Sequence, residues 1–194
     1  MSLNLPNLLT WSRVIAIPVL VAVFFLPIPV FAQNLIATVL FVGAAITDWL
    51  DGWLARRMGI TSAFGAFLDP VADKLIVCVA LVMLVDLDRL VGVDVVVAAI
   101  IIGRELTISA LREWMAQMGA RNSVAVHSIG KFKTTAQLVS IPLLLYDGSL
   151  FGLFHTRAPG IVLIWIAAVL TVWSMLYYLR RAWPVLRDGA AGSA

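Results

Sequence analysis

Asp48-Trp49-Leu50-Asp51-Gly52-Trp53-Leu54-Ala55-Arg56, followed by Gly65, Asp69 and Asp73, is the stretch that decides the fold. Residues 48, 51, 52 and 55 fall at i, i+3, i+4 and i+7, so on a helix they share one face. Residues 65, 69 and 73 recur at every fourth position and share a face of the next helix. Both stripes lie at the ends of long apolar runs. Val14 to Thr47 contains no charged residue at all. Two consecutive antiparallel helices joined by a short loop can turn these stripes towards each other and place four carboxylates around one point.

The rest of the chain says what surrounds that point. Of 194 residues, 62% are hydrophobic and only 13% charged, and the mean hydropathy is +1.00. Soluble domains carry nearly twice that charge, so the solvent must be largely lipid. The apolar runs divide into six expected spans, at roughly 8–26, 32–56, 64–85, 91–116, 130–146 and 158–180. Pro27-Ile28-Pro29 separates the first two. Residues 1–183 read as one six-helix transmembrane domain, all-α, and 184–194 as a short polar, frayed tail. The long uninterrupted runs exclude the short alternating strands of a membrane barrel. Met1–Ser12 holds no Lys or Arg and does not read as a cleaved signal. The single cysteine, Cys78, excludes an intramolecular disulfide and a Cys-based metal site.

The basic residues set the orientation. With an internal N-terminus, all 14 Lys and Arg except Arg89 and Arg157 fall on the inner side. Both termini are therefore expected in the cytoplasm, with the polar clusters near the cytosolic face. The same topology explains the net charge of +3, which gives no ground for nucleic-acid binding.

Four Asp scattered in lipid would cost roughly 10 kcal/mol at about 2.5–3.5 kcal/mol each. Ion pairs with Arg56 and Lys74 can absorb two of these charges, not four. Convergent carboxylates suit hard divalent cations: Mg²⁺, Mn²⁺ or Ca²⁺. Four of them can hold two ions in the arrangement used for displacement at phosphorus. Zinc is disfavoured because His127 and His155 lie in loops, away from the cluster. Gly52 and Gly65 remove bulk beside the carboxylates, so a phosphorylated ligand can approach the backbone. Ala55 serves that purpose or close helix packing equally well.

These residues resemble the signature of the CDP-alcohol phosphatidyltransferase family. The pattern is D-x2-D-G-x2-A-R, then eight or nine residues, then G-x3-D-x3-D, and every fixed position is met here. The resemblance continues through Leu5-Pro6-Asn7-Leu8-Leu9-Thr10 with Arg13, Ser109-Ala110-Leu111-Arg112, and Gly130-Lys131-Phe132-Lys133-Thr134 with Gln137. These match the bacterial branch of the family that uses glycerol 3-phosphate. The resemblance implies two Mg²⁺ or Mn²⁺ ions on Asp48, Asp51, Asp69 and Asp73, with Asp73 also the general base. It implies a CDP pocket lined by Gly52, Ala55, Arg56 and Gly65. It further implies CDP-diacylglycerol as donor, glycerol 3-phosphate as acceptor, a homodimer, and residence in the bacterial inner membrane with the site facing the cytosol.

A second polar group would choose the acceptor. Arg104 and Arg112 lie about 80° apart on the fourth helix. Lys133, Gln137 and Ser140 share a stripe on the fifth, from which Lys131 points away. Cations inside the bundle suit an acceptor phosphate. Arg112 and Lys133 fit that role best, with Arg104 and Lys131 as further candidates. Snorkelling to headgroups, or pairing with Glu105 and Glu113, is the alternative, and it is the better reading for Arg121. The Asp signature alone leaves open inositol phosphate, serine or phosphatidylglycerol as acceptor. A divalent-cation transporter is the competing class. Continuous helices, a cluster at one face and no internal repeat speak against it. Trp11, Trp49, Trp53, Trp114 and Trp183 read as an interfacial belt.

Overall fold

The computed structural model describes residues 5–58, 63–117, 129–150 and 152–191. Among these are six helices: α1 (Leu5–Val23), α2 (Val30–Met58), α3 (Ala63–Asp86), α4 (Val93–Gln117), α5 (Ile129–Tyr146) and α6 (Arg157–Ala191). A two-residue antiparallel hairpin, β1 (Ser149–Leu150) with β2 (Phe154–His155), bridges α5 and α6. The helices fall close to the expected spans. The main difference is α6, which continues past Arg180 to Ala191. A lipid-facing helix stops being apolar at the interface, but nothing obliges its backbone hydrogen bonding to stop there.

The turns have local causes. Proline has no N–H and a fixed φ, so the 27–29 segment cannot extend α1. Gln33 then reaches back from α2, its Nε2 donating to the carbonyls of Leu26 (2.9 Å) and Phe24 (3.3 Å). The carbonyl of Leu26 also accepts from the N–H of Ile28 at 2.8 Å, so backbone and side chain together close the turn after α1. α3 ends in a left-handed residue, Asp88, with φ 53°. The N–H groups of Arg89 and Leu90 both donate to the carbonyl of Leu84, closing the helix end.

Order around the bundle follows from which helices pack. α1 packs on α2 and α3, α2 on α5, α5 on α6, α6 on α4, and α4 on α3, closing a ring. The α5–α6 pair is the most extensive, and Gly160 allows it: a Cβ there would come 2.8 Å from Cγ of the fully buried Leu144. Among the described residues α1 packs against both α2 and α3 and so adds a third wall where the two Asp-bearing helices meet.

Polarity is distributed inside out. Arg13, Asn34, Arg89, Arg104, Lys133 and Gln137 are all buried, whereas Ile15, Val39, Val82, Leu106, Val162 and Trp173 are exposed. That pattern fits a lipid surround, where apolar side chains need no shelter and polar ones do. Among the described residues, two helical stretches, Val30–Asp48 and Arg157–Arg180, are long and apolar enough to cross a membrane.

Arg89, expected to be a charge in an outer turn, is a buried clasp. Its guanidinium donates to the carbonyls of Leu144 (2.9 Å) and Leu145 (3.2 Å) and to Asn34 Oδ1 (2.8 Å), and pairs with Asp147 at 3.2 Å. Burial lowers its affinity for the proton and Asp147 restores part of it. One side chain ties the α3–α4 turn to α2 and to the end of α5. Arg157 closes the same end of the bundle by donating to the carbonyl of Asp88.

Candidate active site

Asp48 and Asp73 come together as expected, and a residue of α1 joins them. Arg13 is 1% exposed, and its Nη1 donates to Asp48 Oδ1 at 2.9 Å and to Asp73 Oδ1. Three helices therefore meet at one guanidinium nitrogen. Asp48 lies ten positions before the end of α2 and Asp73 ten positions after the start of α3, so both sit at the same depth. At 1.5 Å per residue that depth is about 15 Å from the helix ends. Both carboxylates remain partly open, at 49% and 39% side-chain exposure. Beneath them is a cavity of about 60 Å³ whose other walls include Phe41, Ala44, Ile76, Val77 and Leu138. Carboxylates at the mouth and an apolar floor suit a substrate with a charged reacting end.

The sequence gives Arg13 as an inner-side charge and as part of the N-terminal motif shared with the family, but not as a member of the Asp cluster. The signal that singles it out is simple: it is the only charged residue of α1. A lone cation in an apolar helix must find an anion, and the stripes on α2 and α3 are the nearest supply.

Asp51, Gly52, Ala55, Arg56, Gly65 and Asp69 lie outside the residues whose side chains are described; their backbones belong to α2 and α3. Helical spacing puts Asp51 on the face of Asp48 and Asp69 on the face of Asp73. Among the described residues no three His, Cys, Asp or Glu side chains gather to hold a metal. The two that do converge are hard oxygen donors whose Oδ1 atoms share one positive group. That donor set fits a hard divalent cation and not a thiophilic one.

The second polar group is also real, with one member elsewhere. Lys133 is fully buried, and its Nζ donates to Glu105 Oε1 at 3.1 Å. Arg104 Nη1 donates to the same oxygen at 2.7 Å. Two cations thus share one carboxylate oxygen, leaving the cluster with positive charge in excess. Arg104 Nε is buried without a hydrogen-bond partner among the described residues. The stripe expected on α5 exists: Lys133, Gln137 and Ser140 are all buried. Arg112 does not join the cluster. It is exposed, and its guanidinium carbon lies 5.7 Å from the ring centre of Tyr178. The 80° separation from Arg104 is enough to put it on another face. The side chain of Lys131, and Arg121 altogether, lie outside the described residues.

Comparison with known proteins agrees with this geometry. The chain is 51% identical over 189 residues to the CDP-diacylglycerol–glycerol-3-phosphate 3-phosphatidyltransferase of Salmonella choleraesuis (strain SC-B67), covering 97% of this chain and all of that protein. It is 49% identical over 188 residues to the Escherichia coli (strain K12) protein of the same name, again covering 97% of this chain and the whole relative. Residues 3–173 match the CDP-alcohol phosphatidyltransferase family, and they contain every element of the two polar clusters. The chain belongs to the CDP-alcohol phosphatidyltransferase family.

Proposed function

We propose that this membrane protein transfers the phosphatidyl group of CDP-diacylglycerol to glycerol 3-phosphate, releasing CMP. The single observation that carries the reading is the convergence of Asp48 and Asp73, from helices 2 and 3 of the family signature, on Arg13. Full-length relatives named for this reaction support the choice of acceptor. So does a buried cluster with excess positive charge, which suits an acceptor that carries phosphate.

Asp48, Asp51, Asp69 and Asp73 would hold the divalent cations, Mg²⁺ or Mn²⁺. When bound, these ions supply positive charge against the donor diphosphate and the departing CMP. Arg13 fixes the direction of the Asp48 and Asp73 carboxylates. Asp73 takes the proton from the acceptor hydroxyl as that oxygen bonds to the lipid-side phosphorus. The bond from that phosphorus to the CMP oxygen breaks, and CMP leaves with the electron pair. Gly52, Ala55, Arg56 and Gly65 would line the CDP pocket. Arg104 and Lys133 hold the acceptor phosphate, Arg104 through its Nε, which has no partner among the described residues; Arg112 and Lys131 are the further candidates that the sequence offers.

The remaining features of the reading are six membrane spans, both termini and the site on the cytosolic side of a bacterial inner membrane, and a homodimer. Charge asymmetry supports the orientation. The inside-out polarity of all six helices supports the spans.

The test is CMP release from CDP-diacylglycerol by purified protein in detergent. Glycerol 3-phosphate, inositol phosphate, serine and phosphatidylglycerol are supplied separately, with and without EDTA. Metal-dependent release with glycerol 3-phosphate alone, lost in Asp73→Asn, is the expected result. Release with a different acceptor would overturn the assignment of the α4–α5 cluster. No release with any acceptor from folded protein would overturn the reaction.

A further inference from the structure

Gln137 has a polar atom with nothing to do. Its side chain is 4% exposed, and its Oε1 is buried without a donor among the described residues. Buried acceptors are nearly always satisfied, so an unmet one points to a group that arrives later. The position narrows what that group is. Gln137 lies one turn deeper than Lys133 on the same buried stripe. Its neighbour Leu138 lines the cavity beneath Asp48 and Asp73. Gln137 is thus one helical turn from a buried cation and next in sequence to a wall of the Asp48–Asp73 cavity. It also lies eight positions from the start of α5, close to the depth of Arg13 in α1 and of Asp73 in α3.

Resting on the reaction proposed above, the ligand between those clusters is a short phosphorylated polyol. Its phosphate lies at Arg104 and Lys133, its reacting hydroxyl at Asp73, and a non-reacting hydroxyl on the carbon between. A neutral amide oxygen is a poor partner for phosphate, which has only acceptors, and a good one for a hydroxyl, which donates. We propose that Gln137 is the specificity-determining residue for the acceptor, its Oε1 accepting the hydrogen bond of the non-reacting C2 hydroxyl. A site built to bind a hydroxyl rejects the analogue that lacks it, because the buried oxygen is then left unpaired.

The experiment compares glycerol 3-phosphate with 3-hydroxypropyl phosphate, which keeps the phosphate and the reacting hydroxyl and lacks only the C2 hydroxyl. The readout is the ratio of kcat/KM for the two acceptors, from which any general loss of activity cancels. The protein should prefer glycerol 3-phosphate by roughly 10–100-fold. In Gln137→Met, of similar length and without the oxygen, the ratio should fall towards one while KM for CDP-diacylglycerol stays put. Gln137→Glu, which restores an acceptor at the same place, should recover the preference. An unchanged ratio in folded Gln137→Met overturns the proposal. So does a ratio near one in the unsubstituted protein, a result that does not depend on any variant folding. Absence of transfer to both acceptors would instead overturn the reaction on which the proposal rests.

Discussion

Lys133 on α5 donates through Nζ to Glu105 Oε1 on α4, 3.1 Å away, with the lysine fully buried. Breaking a buried pair by removing one partner leaves an uncompensated charge and costs about 3–5 kcal/mol. Lys133→Met and Glu105→Gln should each lower stability in thermal unfolding in detergent. The double substitution should cost less than the two single losses together, because Arg104 then loses its carboxylate but Lys133 is no longer stranded with it. Additive losses would mean that the two residues do not interact.

Arg13 should matter for turnover more than for folding. It holds two carboxylates from separate helices by charge-assisted hydrogen bonds, each worth about 1.5–3 kcal/mol. Lysine keeps the charge but not the planar fork. Arg13→Lys should therefore purify as folded protein and lose roughly 10–100-fold in kcat/KM. Full activity in that variant would show that the carboxylates are positioned by something else.

Arg89 lies at the opposite end of the bundle and should have the reverse profile. Arg89→Met strands Asp147 and frees the carbonyls of Leu144 and Leu145. A loss of about 3–5 kcal/mol is expected, seen as a lower unfolding temperature. KM values for both substrates should be unchanged in the folded fraction. A changed KM would link the clasp to the site.

Much of this was legible from residue spacing, because membrane helices leave the chain few choices. The apolar runs and Pro27–Pro29 placed the helices to within a few residues, except for the C-terminal end of α6. The stripes through 48 and 51 and through 65, 69 and 73 led to the meeting of Asp48 and Asp73, since charge in an apolar run is costly enough to be informative. The stripe of Lys133, Gln137 and Ser140 was read correctly for the same reason. Spacing carries no information about which helix lies next to which. That is why Arg13 was missed as the residue between Asp48 and Asp73, and why Arg112 was expected to join Lys133 in the acceptor cluster. Arg89 lies in the turn where the sequence puts it, but spacing does not say that it is buried. Only the neighbouring carbonyls of Leu144 and Leu145 reveal it as buried.

Gly160 offers a test of the packing itself. A methyl group there would press on Leu144, which is fully buried and cannot yield cheaply. Gly160→Ala should cost about 1–3 kcal/mol, and Leu144→Ala in the same chain should recover part of the loss. Stability equal to the unsubstituted protein would mean that α5 and α6 are less closely packed than described.

The guanidinium shared by three helices also imposes an order on biosynthesis. Arg13 leaves the ribosome 35 residues before Asp48 and 60 residues before Asp73. At about 5–20 residues per second, the arginine waits roughly 2–12 s for its anions. Until they are made, α1 carries this cation without either of those carboxylates, at a cost of up to about 2.5–3.5 kcal/mol if it were held at mid-bilayer. The side chain can lower this cost by reaching to the surface while the first helix sits shallow. The helix can settle to its final depth only once the third has been inserted. The first segment made is thus among the last to be locked, and completion of the active site coincides with its locking.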